Sequence, residues 1–334
     1  MFESWCKCRS RAAIWAKLAD LAIFGDAERM ETREIHIFGV PIGIGGGQTG
    51  TSHGPRHARE AGLVEMLRAQ LEHVLVKDLG DVVLEGEPGR SRLQTAAEWS
   101  SLVRDQTCTL ARNGIMPVVI GGDHSLATGS IAGVTSARRE AGHPAPGVLW
   151  FDAHTDINTH ESTPSGNPHG MSAAALTGFD VEHLSTVVGA DGRIEPDRLV
   201  FMGARDIDPG EQVHLEQAGI TVFSSEQIHD EGIDSIISQA LEIVSPDHEP
   251  FCLSFDIDVV DPEHAPGVDT RVSEGLDPEQ TKHALERIGA HAPLLLVDAV
   301  ELNPETDRDN QTAQLLVACL NTLLRANVGQ LLKD

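Results

Sequence analysis

The chain has 334 residues and carries 51 acidic against 25 basic side chains, so its formal net charge is −26. This length can bury a sizeable core, but the acidic balance argues against a nucleic acid or an anionic membrane as partner, since both bind basic surfaces. No apolar run approaches the roughly 18 residues of a membrane span. The five cysteines are odd in number and scattered, which favours a reducing compartment, so we expect a cytoplasmic protein.

Residues 1–29 differ from the rest of the chain. Several apolar side chains in this stretch have helical spacing: Ile14, Trp15, Leu18, Leu21 and Phe24. Met30 directly precedes the first pattern typical of a core strand. We therefore expect 1–29 to be an extension outside the fold, with Met30 as an alternative start, and 30–334 to form a single domain. A partner-binding or targeting helix is the alternative interpretation of the extension.

Short apolar runs typical of buried parallel strands recur along the chain: Ile35–Val40, His73–Val76, Met116–Ile120, Val148–Phe151, Leu199–Met202, Thr221–Phe223, Phe251–Phe255 and Leu294–Val300. Helix-length segments separate or follow most of them: 55–71, 92–113, 125–140, 209–218, 232–244, 277–290 and about 310–325. Strands that alternate with helices predict an α/β fold, with a mostly parallel sheet covered on both faces. Functional residues of such a sheet belong in loops at the carboxyl ends of its strands.

The fourth predicted strand ends in a cluster of polar residues. Asp152, His154 and Asp156 follow it at every second position, and Asn158 comes two residues later. Buried carboxylates without a partner are costly, so a positive group must lie among them, and a divalent metal is the simplest candidate. For this stretch alone, a solvated acidic loop with an incidental histidine is an equal alternative.

Three further predicted strands end in similar residues. His124 follows the third strand through a Gly-Gly turn, Asp256 and Asp258 follow the seventh, and Glu301 follows the eighth. Taken alone, the stretch around His124 favours a helix cap formed by Asp123 or Ser125, with an exposed histidine. Together, however, these strand ends supply enough ligands for two divalent ions that share carboxylates: His124, Asp152, His154, Asp156, Asp256 and Asp258. The mixture of histidine and carboxylate suits Mn²⁺, with Zn²⁺, Fe²⁺ and Co²⁺ open.

Such a pair of ions can activate a water for attack on an electrophilic carbon. Glu301 is the remaining carboxylate, and it suggests a cationic substrate such as a planar guanidinium. His169 lies in a polar loop, which is either flexible surface or the source of a proton for a leaving amine. Asp208 and Glu211 follow another predicted strand, either as a helix start or as contacts to a substrate amine.

These residues fall in four motifs that together resemble the ureohydrolase family of arginases, agmatinases, guanidinobutyrases and formiminoglutamases. The motifs are GGDHS (121–125), DAHTDINT (152–159), SFDIDVVDP (254–262) and the Glu-Leu-Asn-Pro that begins at Glu301. The resemblance runs from about Ile35 to about Leu324. It is strongest to the arginases, because Asn158-Thr159 and the loop from Ser165 to Gly170 match the arginase loops that hold the amino-acid end of arginine.

The resemblance implies a three-layer α/β/α sandwich with an eight-stranded sheet, assembled as trimers or hexamers. It also implies two Mn²⁺ per subunit that share Asp152 and Asp256. One ion would add His124 and Asp156, and the other would add His154 and Asp258.

The activity that the resemblance implies is hydrolysis of L-arginine to L-ornithine and urea by a metal-bridging hydroxide. Asp156 would orient the hydroxide, Glu301 would clamp the guanidinium and His169 would shuttle a proton. Asn158 and Ser165 would contact the α-carboxylate, and Asp208 and Glu211 the α-amino group. The full set implied in substrate binding is Asn158, Ser165, Asn167, Asp208, Glu211, Thr270 and Glu301.

One loop departs from the arginase pattern. Asp269-Thr270-Arg271 stands where many arginases have Gly-Thr-Pro, so Thr270 is kept between two new charges. Arg271 is either an ordinary solvated residue or a new contact to a substrate carboxylate. The alternatives for function are therefore a related enzyme that acts on 4-guanidinobutyrate, Nω-hydroxy-L-arginine or agmatine and, more distantly, a non-catalytic metal-binding regulator.

Overall fold

The computed structural model describes residues 34–331, apart from residues 48, 72 and 85–90. The predicted extension over 1–29 and the alternative start at Met30 lie outside the described residues. Among the helices of the described part, none combines the length and the apolar character that crossing a bilayer requires.

One parallel sheet organises the described chain. Its strands are β1 (Glu34–Val40), β2 (Leu75–Asp81), β3 (Met116–Gly121), β4 (Val148–Phe151), β5 (Leu199–Ala204), β6 (Thr221–Ser224), β7 (Phe251–Asp256) and β8 (Leu294–Val300). They lie in the order β2-β1-β3-β8-β7-β4-β5-β6, and every pairing is parallel. This arrangement confirms the predicted α/β fold with an eight-stranded sheet.

The helices of the described part are α1 (Gly54–Glu60), α2 (Leu63–Gln70), α3 (Arg92–Arg112), α4 (Ala127–Glu140), α5 (Ser172–Thr177), α6 (Leu184–Val188), α7 (Pro209–Ala218), α8 (Ser225–Glu231), α9 (Ile233–Val244), α10 (Pro278–His291) and α11 (Gln311–Leu331). The single helix predicted over 55–71 is wrong, because Gly62 with φ of +92° separates α1 from α2. The pattern also missed α5, α6 and α8, which are too short to show a helical period.

Alternate residues of the central strands enter two separate hydrophobic cores. Val118 packs in one core and Val119 in the other, and Leu149 and Trp150 divide in the same way. Since successive side chains of a strand point to opposite faces, the two cores lie on the two faces of the sheet, as a three-layer sandwich requires.

Strand β2 lies at one edge and differs from its prediction. The sequence pattern predicted a strand over His73–Val76, whereas the strand runs from Leu75 to Asp81 and pairs with β1 alone. Beyond the predicted run the strand carries Lys77, Asp78 and Asp81, and charged side chains are common on edge strands, so hydrophobic patterning misses this part.

Candidate metal centre and active site

Four adjacent strands deliver the predicted site residues. In the order β3-β8-β7-β4 they are neighbours in the middle of the sheet, and in a parallel sheet their carboxyl ends meet at one edge. His124 follows β3, Glu301 follows β8, and Asp256 ends β7. Residues 152–158 follow β4. The topology therefore gathers residues that are up to 177 positions apart in sequence, as in the hydrogen bond that the backbone N–H of His124 donates to the carboxylate of Glu301.

The predicted metal ligands converge at this edge. The Nδ1 atom of His124 lies 2.9 Å from Asp152, 3.0 Å from Asp156 and 3.2 Å from Asp256, each measured to a carboxylate oxygen. The Nδ1 atom of His154 lies 3.3 Å from Asp152 and 3.0 Å from an oxygen of Asp258. Two overlapping groups that share Asp152 could each hold a metal ion: His124, Asp152 and Asp256, and Asp152, His154 and Asp258.

A chain of hydrogen bonds behind His124 determines which of its ring nitrogens carries the proton. Ser254 Oγ donates its single proton to Asp298 Oδ1 at 2.5 Å, and Ser130 donates to the other oxygen of Asp298 at 2.6 Å. Ser254 Oγ can therefore only accept from Nε2 of His124, 2.7 Å away. In the neutral ring, the lone pair of Nδ1 then faces the carboxylates.

This arrangement fits a metal ion. Nδ1 of His124 is buried and has no hydrogen-bond partner in the described part of the chain, although three carboxylate oxygens surround it. A lone pair that faces negative oxygens is unfavourable unless a proton or a metal ion lies between them. Oxygen and imidazole ligands of this kind suit a divalent ion such as Mn²⁺. A positioned imidazole whose other nitrogen is hydrogen-bonded is also typical of metal sites.

The pKa values of the buried acids indicate the same need for positive charge. Burial raises the pKa of Asp256 well above its usual range, and repulsion from Asp258 and Asp152 adds to this shift. Burial also raises the pKa of Asp258, and the Asp152 charge raises it further. Asp152 behaves in the opposite way: burial would raise its pKa, but His124 and His154 hold it below its usual range.

Trp150 supports the cluster from β4. Its indole stacks on the imidazole of His124, with ring centroids 4.4 Å apart, and its Nε1 donates to Asp152 Oδ2 at 2.9 Å. Sequence reasoning did not single out Trp150, Ser254 or Asp298. Ser254 and Asp298 could have been found as polar residues inside otherwise apolar strands, because a buried polar side chain needs a partner.

Glu301 lies beside the cluster in an unusual backbone conformation. Its φ is +64°, in the left-handed region that non-glycine residues adopt at a cost. Oε1 accepts from the backbone N–H of His124 at 2.8 Å and contacts Nδ1 of His169 at 2.9 Å. Oε2 is buried and has no hydrogen-bond partner among the described residues. This second oxygen is therefore available to a donor that a ligand supplies.

His169 is paired with this carboxylate. Burial lowers the pKa of His169, but the hydrogen bond and the charge of Glu301 outweigh burial and raise it to about 9. The imidazole therefore carries its proton at neutral pH and can act as an acid towards a group in the pocket.

A pocket of about 250 Å³ opens over the cluster. Residues that the sequence analysis assigned to substrate binding line it: Asn158, Ser165, Asn167, Asp208, Glu211, Thr270 and Glu301. Thr163, Pro164, Gly170 and Asp206 also line it and were not predicted. They belong to the same two loops as the predicted residues. The motifs that predicted these loops were therefore the signal in the sequence that could have identified them.

Hydrogen bonds connect the two loops on one side of the pocket. Nδ2 of Asn158 donates to Asp208 at 2.9 Å, and Oδ1 of Asn158 accepts from Ser162 at 2.8 Å. The oxygens of Glu211 accept the backbone N–H groups of Ile157 and Asp208, both at 3.0 Å. Burial and the nearby Asp156 raise the pKa of Glu211 to about 7. Glu211 thus fastens the metal-binding loop to the start of α7.

Arg271 differs from the ordinary solvated residue that was one of its two predictions, because it is hydrogen-bonded within the protein. It is exposed, and its guanidinium donates to the carbonyl oxygens of Pro266, at 2.9 Å, and Thr306, at 3.0 Å. The residues that line the pocket do not include it. These contacts favour a role in holding the loop together.

Comparisons with known proteins identify the family of this chain. A family model described as "Arginase family" matches residues 33–325. The arginase of Bacillus caldovelox is 32% identical over 299 residues, which cover 87% of this chain and 98% of that protein. The crystal structure of an arginase from Bacillus cereus has a TM-score of 0.80 and 34% identity, over 87% of this chain and 98% of that one. The Entamoeba histolytica arginase, crystallised with L-ornithine, has a TM-score of 0.78 and 30% identity, and the match covers 88% of this chain and 98% of that one.

The fold and the site define a ureohydrolase, an enzyme that hydrolyses carbon–nitrogen bonds of amidines. The chain belongs to the arginase family.

Proposed function

We propose that this enzyme hydrolyses L-arginine to L-ornithine and urea with two Mn²⁺ per subunit. The observation that carries the proposal is Glu301 Oε2, a buried carboxylate oxygen without a partner in the described chain, in a pocket directly over a cluster of metal-type ligands. A guanidinium is planar and cationic, so it can donate to such an oxygen in a charge-assisted hydrogen bond.

The metal ligands of the proposal are the six side chains of the cluster. Asp152 and Asp256 would be shared, His124 and Asp156 would complete one site, and His154 and Asp258 the other. Four carboxylates balance the charge of two divalent ions. When bound, such ions lower the pKa of a water and so supply a nucleophile at neutral pH.

The remaining chemistry belongs to the protein side chains. Glu301 would hold the guanidinium so that its carbon faces the attacking water, which Asp156 would orient. Water would lose one proton to solvent as its oxygen adds to this carbon. The bond from the carbon to the ε-nitrogen of arginine then breaks, and His169 would give that nitrogen a proton. The hydroxyl proton left on the urea would return to His169. The raised pKa of His169, to about 9, supports an acid role because the ring is protonated at neutral pH.

The amino-acid end of the substrate would lie in the outer part of the pocket. Asn158, Ser165 and Asn167 would donate to the α-carboxylate, and Asp208 and Glu211 would attract the α-amino group, partly through water. Thr270 would complete the wall. The arginase of Entamoeba histolytica, a relative of 30% identity, was crystallised with L-ornithine, which has this same amino-acid end.

The test is urea release by the Mn²⁺-loaded protein from L-arginine, agmatine, 4-guanidinobutyrate and Nω-hydroxy-L-arginine, measured in parallel. We expect a strong preference for L-arginine. Preference for another member of the panel would refute the substrate assignment, and absence of urea from all four would refute the activity. Parallel loading with Zn²⁺, Fe²⁺ and Co²⁺ tests the choice of metal.

The proposal includes three statements about the whole protein. Residues 30–334 would form the catalytic domain, with 1–29 as an extension outside it, so a chain that begins at Met30 should release urea as the full chain does. The protein would assemble as trimers or hexamers, which sedimentation equilibrium tests. A reducing, cytoplasmic location is supported by free, buried thiols at Cys108, Cys252 and Cys319.

A further inference from the structure

Arg92, at the start of α3, connects two loops at the mouth of the pocket. Its Nε donates to the carbonyl oxygen of Ile44 at 2.7 Å, and its Nη2 donates to the carbonyl oxygen of Gly46. Its Nη1 donates to Oδ1 of Asn167 at 2.9 Å. One guanidinium thus holds the loop 44–47 and the loop that contains Asn167 at the same time.

The contact with Asn167 determines the orientation of that amide. A guanidinium has donors and no acceptor, so the atom of Asn167 that faces Arg92 must be the carbonyl oxygen. The amide nitrogen then points away from Arg92. Because Asn167 lines the pocket, its Nδ2 is the group that can donate to a ligand there. Without Arg92 the amide could rotate and present either atom.

The loop 44–47 connects this contact to the active site. The backbone N–H of His169 donates to the carbonyl oxygen of Gly45 at 3.3 Å, and the backbone N–H of Gly45 donates to Asp123 at 2.7 Å. A Cβ at Gly46 would lie 2.6 Å from Asp269 and 3.6 Å from the ring of His169, so the loop has little freedom to move. These hydrogen bonds of Gly45 hold the segment beside His169 without Arg92, so loss of Arg92 should leave His169 in place.

The charge of the pocket makes an ordered donor important. Among the described residues that line it, none is Lys or Arg, whereas four acidic residues lie outside the proposed metal ligands: Asp206, Asp208, Glu211 and Glu301. A negatively charged ligand group is repelled there unless donors meet it in the right orientation. A cation that donates to the carbonyl oxygen of an amide polarises the amide and strengthens its N–H groups as donors.

We propose that Arg92 is a specificity-determining positioning residue, which orients the amide of Asn167 so that its nitrogen donates to the carboxylate of an amino-acid substrate. The proposal rests on the function proposed above, because it assumes that the substrate carries a carboxylate at the outer end of the pocket. Arg92 acts through Asn167 and does not take part in the chemistry.

The test compares L-ornithine with putrescine, which is the same molecule without the carboxylate. Their dissociation constants are measured by calorimetry on the Mn²⁺-loaded full chain. In Arg92→Met, we expect the Kd of L-ornithine to rise about tenfold, because roughly one hydrogen bond is lost. The Kd of putrescine should change less than twofold. For L-arginine, KM should rise by a similar factor while kcat stays within about twofold.

Three variants keep the proposal falsifiable. Arg92→Lys keeps the positive charge, but a single ammonium group cannot reach all three oxygens that Arg92 contacts. We therefore expect this variant also to lose most of the preference for L-ornithine over putrescine. Asn167→Ala should raise the Kd of L-ornithine, and adding Arg92→Met to it should have no further effect. Arg139 is the matched control, since it also donates to backbone carbonyl oxygens, those of Ala190 and Asp191, and Arg139→Met should leave both ligands unaffected.

Wild-type discrimination in Arg92→Met or in Arg92→Lys would overturn the proposal, and so would additive effects of the Arg92 and Asn167 substitutions. A wild-type protein that does not release urea from L-arginine, or that binds putrescine as tightly as L-ornithine, would refute the proposed function instead. The two failures are therefore distinguishable before any variant is compared.

Discussion

Ser254→Ala is the sharpest test of how the protein prepares its metal centre. The substitution removes a hydroxyl that accepts from Nε2 of His124 at 2.7 Å and donates to Asp298 at 2.5 Å. All three residues are buried, with 0% exposure for Ser254 and Asp298 and 1% for His124. Water therefore cannot easily replace the hydroxyl, and both partners lose a hydrogen bond.

The structure sets the expected size of the effect. A buried polar group without a partner costs about 1–3 kcal/mol. Asp298 keeps its hydrogen bond from Ser130, so we expect the free energy of unfolding of the metal-free protein to fall by about 2–3 kcal/mol in total. The ring of His124 also loses the contact that holds its Nδ1 lone pair towards the metal site. Removal of such a supporting contact typically lowers metal affinity by about 10–100-fold.

Ser136→Ala provides the matched control. Ser136 is 1% exposed, accepts from Arg104 at 3.0 Å and donates to the carbonyl oxygen of Ala132 at 2.8 Å, away from the metal ligands. Urea unfolding of the metal-free proteins should show a smaller destabilisation for Ser136→Ala, because Arg104 keeps its hydrogen bonds to Val187 and Asp191. Calorimetric titration with Mn²⁺ should show weaker binding for Ser254→Ala alone. If Ser254→Ala is destabilised but binds Mn²⁺ as the wild type does, the hydrogen-bond chain does not orient His124.

Three further predictions concern the same site. Asp258→Ala removes a buried charge from one group of ligands, so elemental analysis should find fewer than two ions per subunit; two ions would contradict the ligand assignment. His169→Asn should lower kcat at least tenfold while the metal content stays the same, and full turnover in this variant would exclude His169 as the proton donor. In the metal-free protein burial opposes charging of His124 and His154, yet the carboxylates raise both pKa values well above their usual range. Metal binding must displace these protons, so Mn²⁺ affinity should rise with pH, and calorimetry in buffers of different ionisation enthalpy should detect proton release. Binding without proton release would show that the histidines are already neutral.

The failures of the sequence analysis have local physical causes. The pattern joined α1 and α2 because apolar spacing continues through Gly62, and only its left-handed backbone separates the helices. The capping pair Ser224 and Gln227 did mark the start of α8, but a helix of seven residues is too short for a hydrophobic period. These errors do not affect the site, since its residues follow strands whose apolar runs are unambiguous.

What the sequence determined by itself is the class of fold and the chemistry of the site. The period and the length of the apolar runs predict a parallel sheet, and the Asp, His and Glu residues directly after four strands predict a cluster of metal-type ligands. Both patterns can be read from the sequence because each is local in the chain. The tertiary structure alone decided the relations between distant side chains. It made Ser254 the acceptor for His124, left one oxygen of Glu301 without a partner, and brought Arg92 to Asn167. These depend on strand order and loop packing, for which a one-dimensional pattern carries no signal.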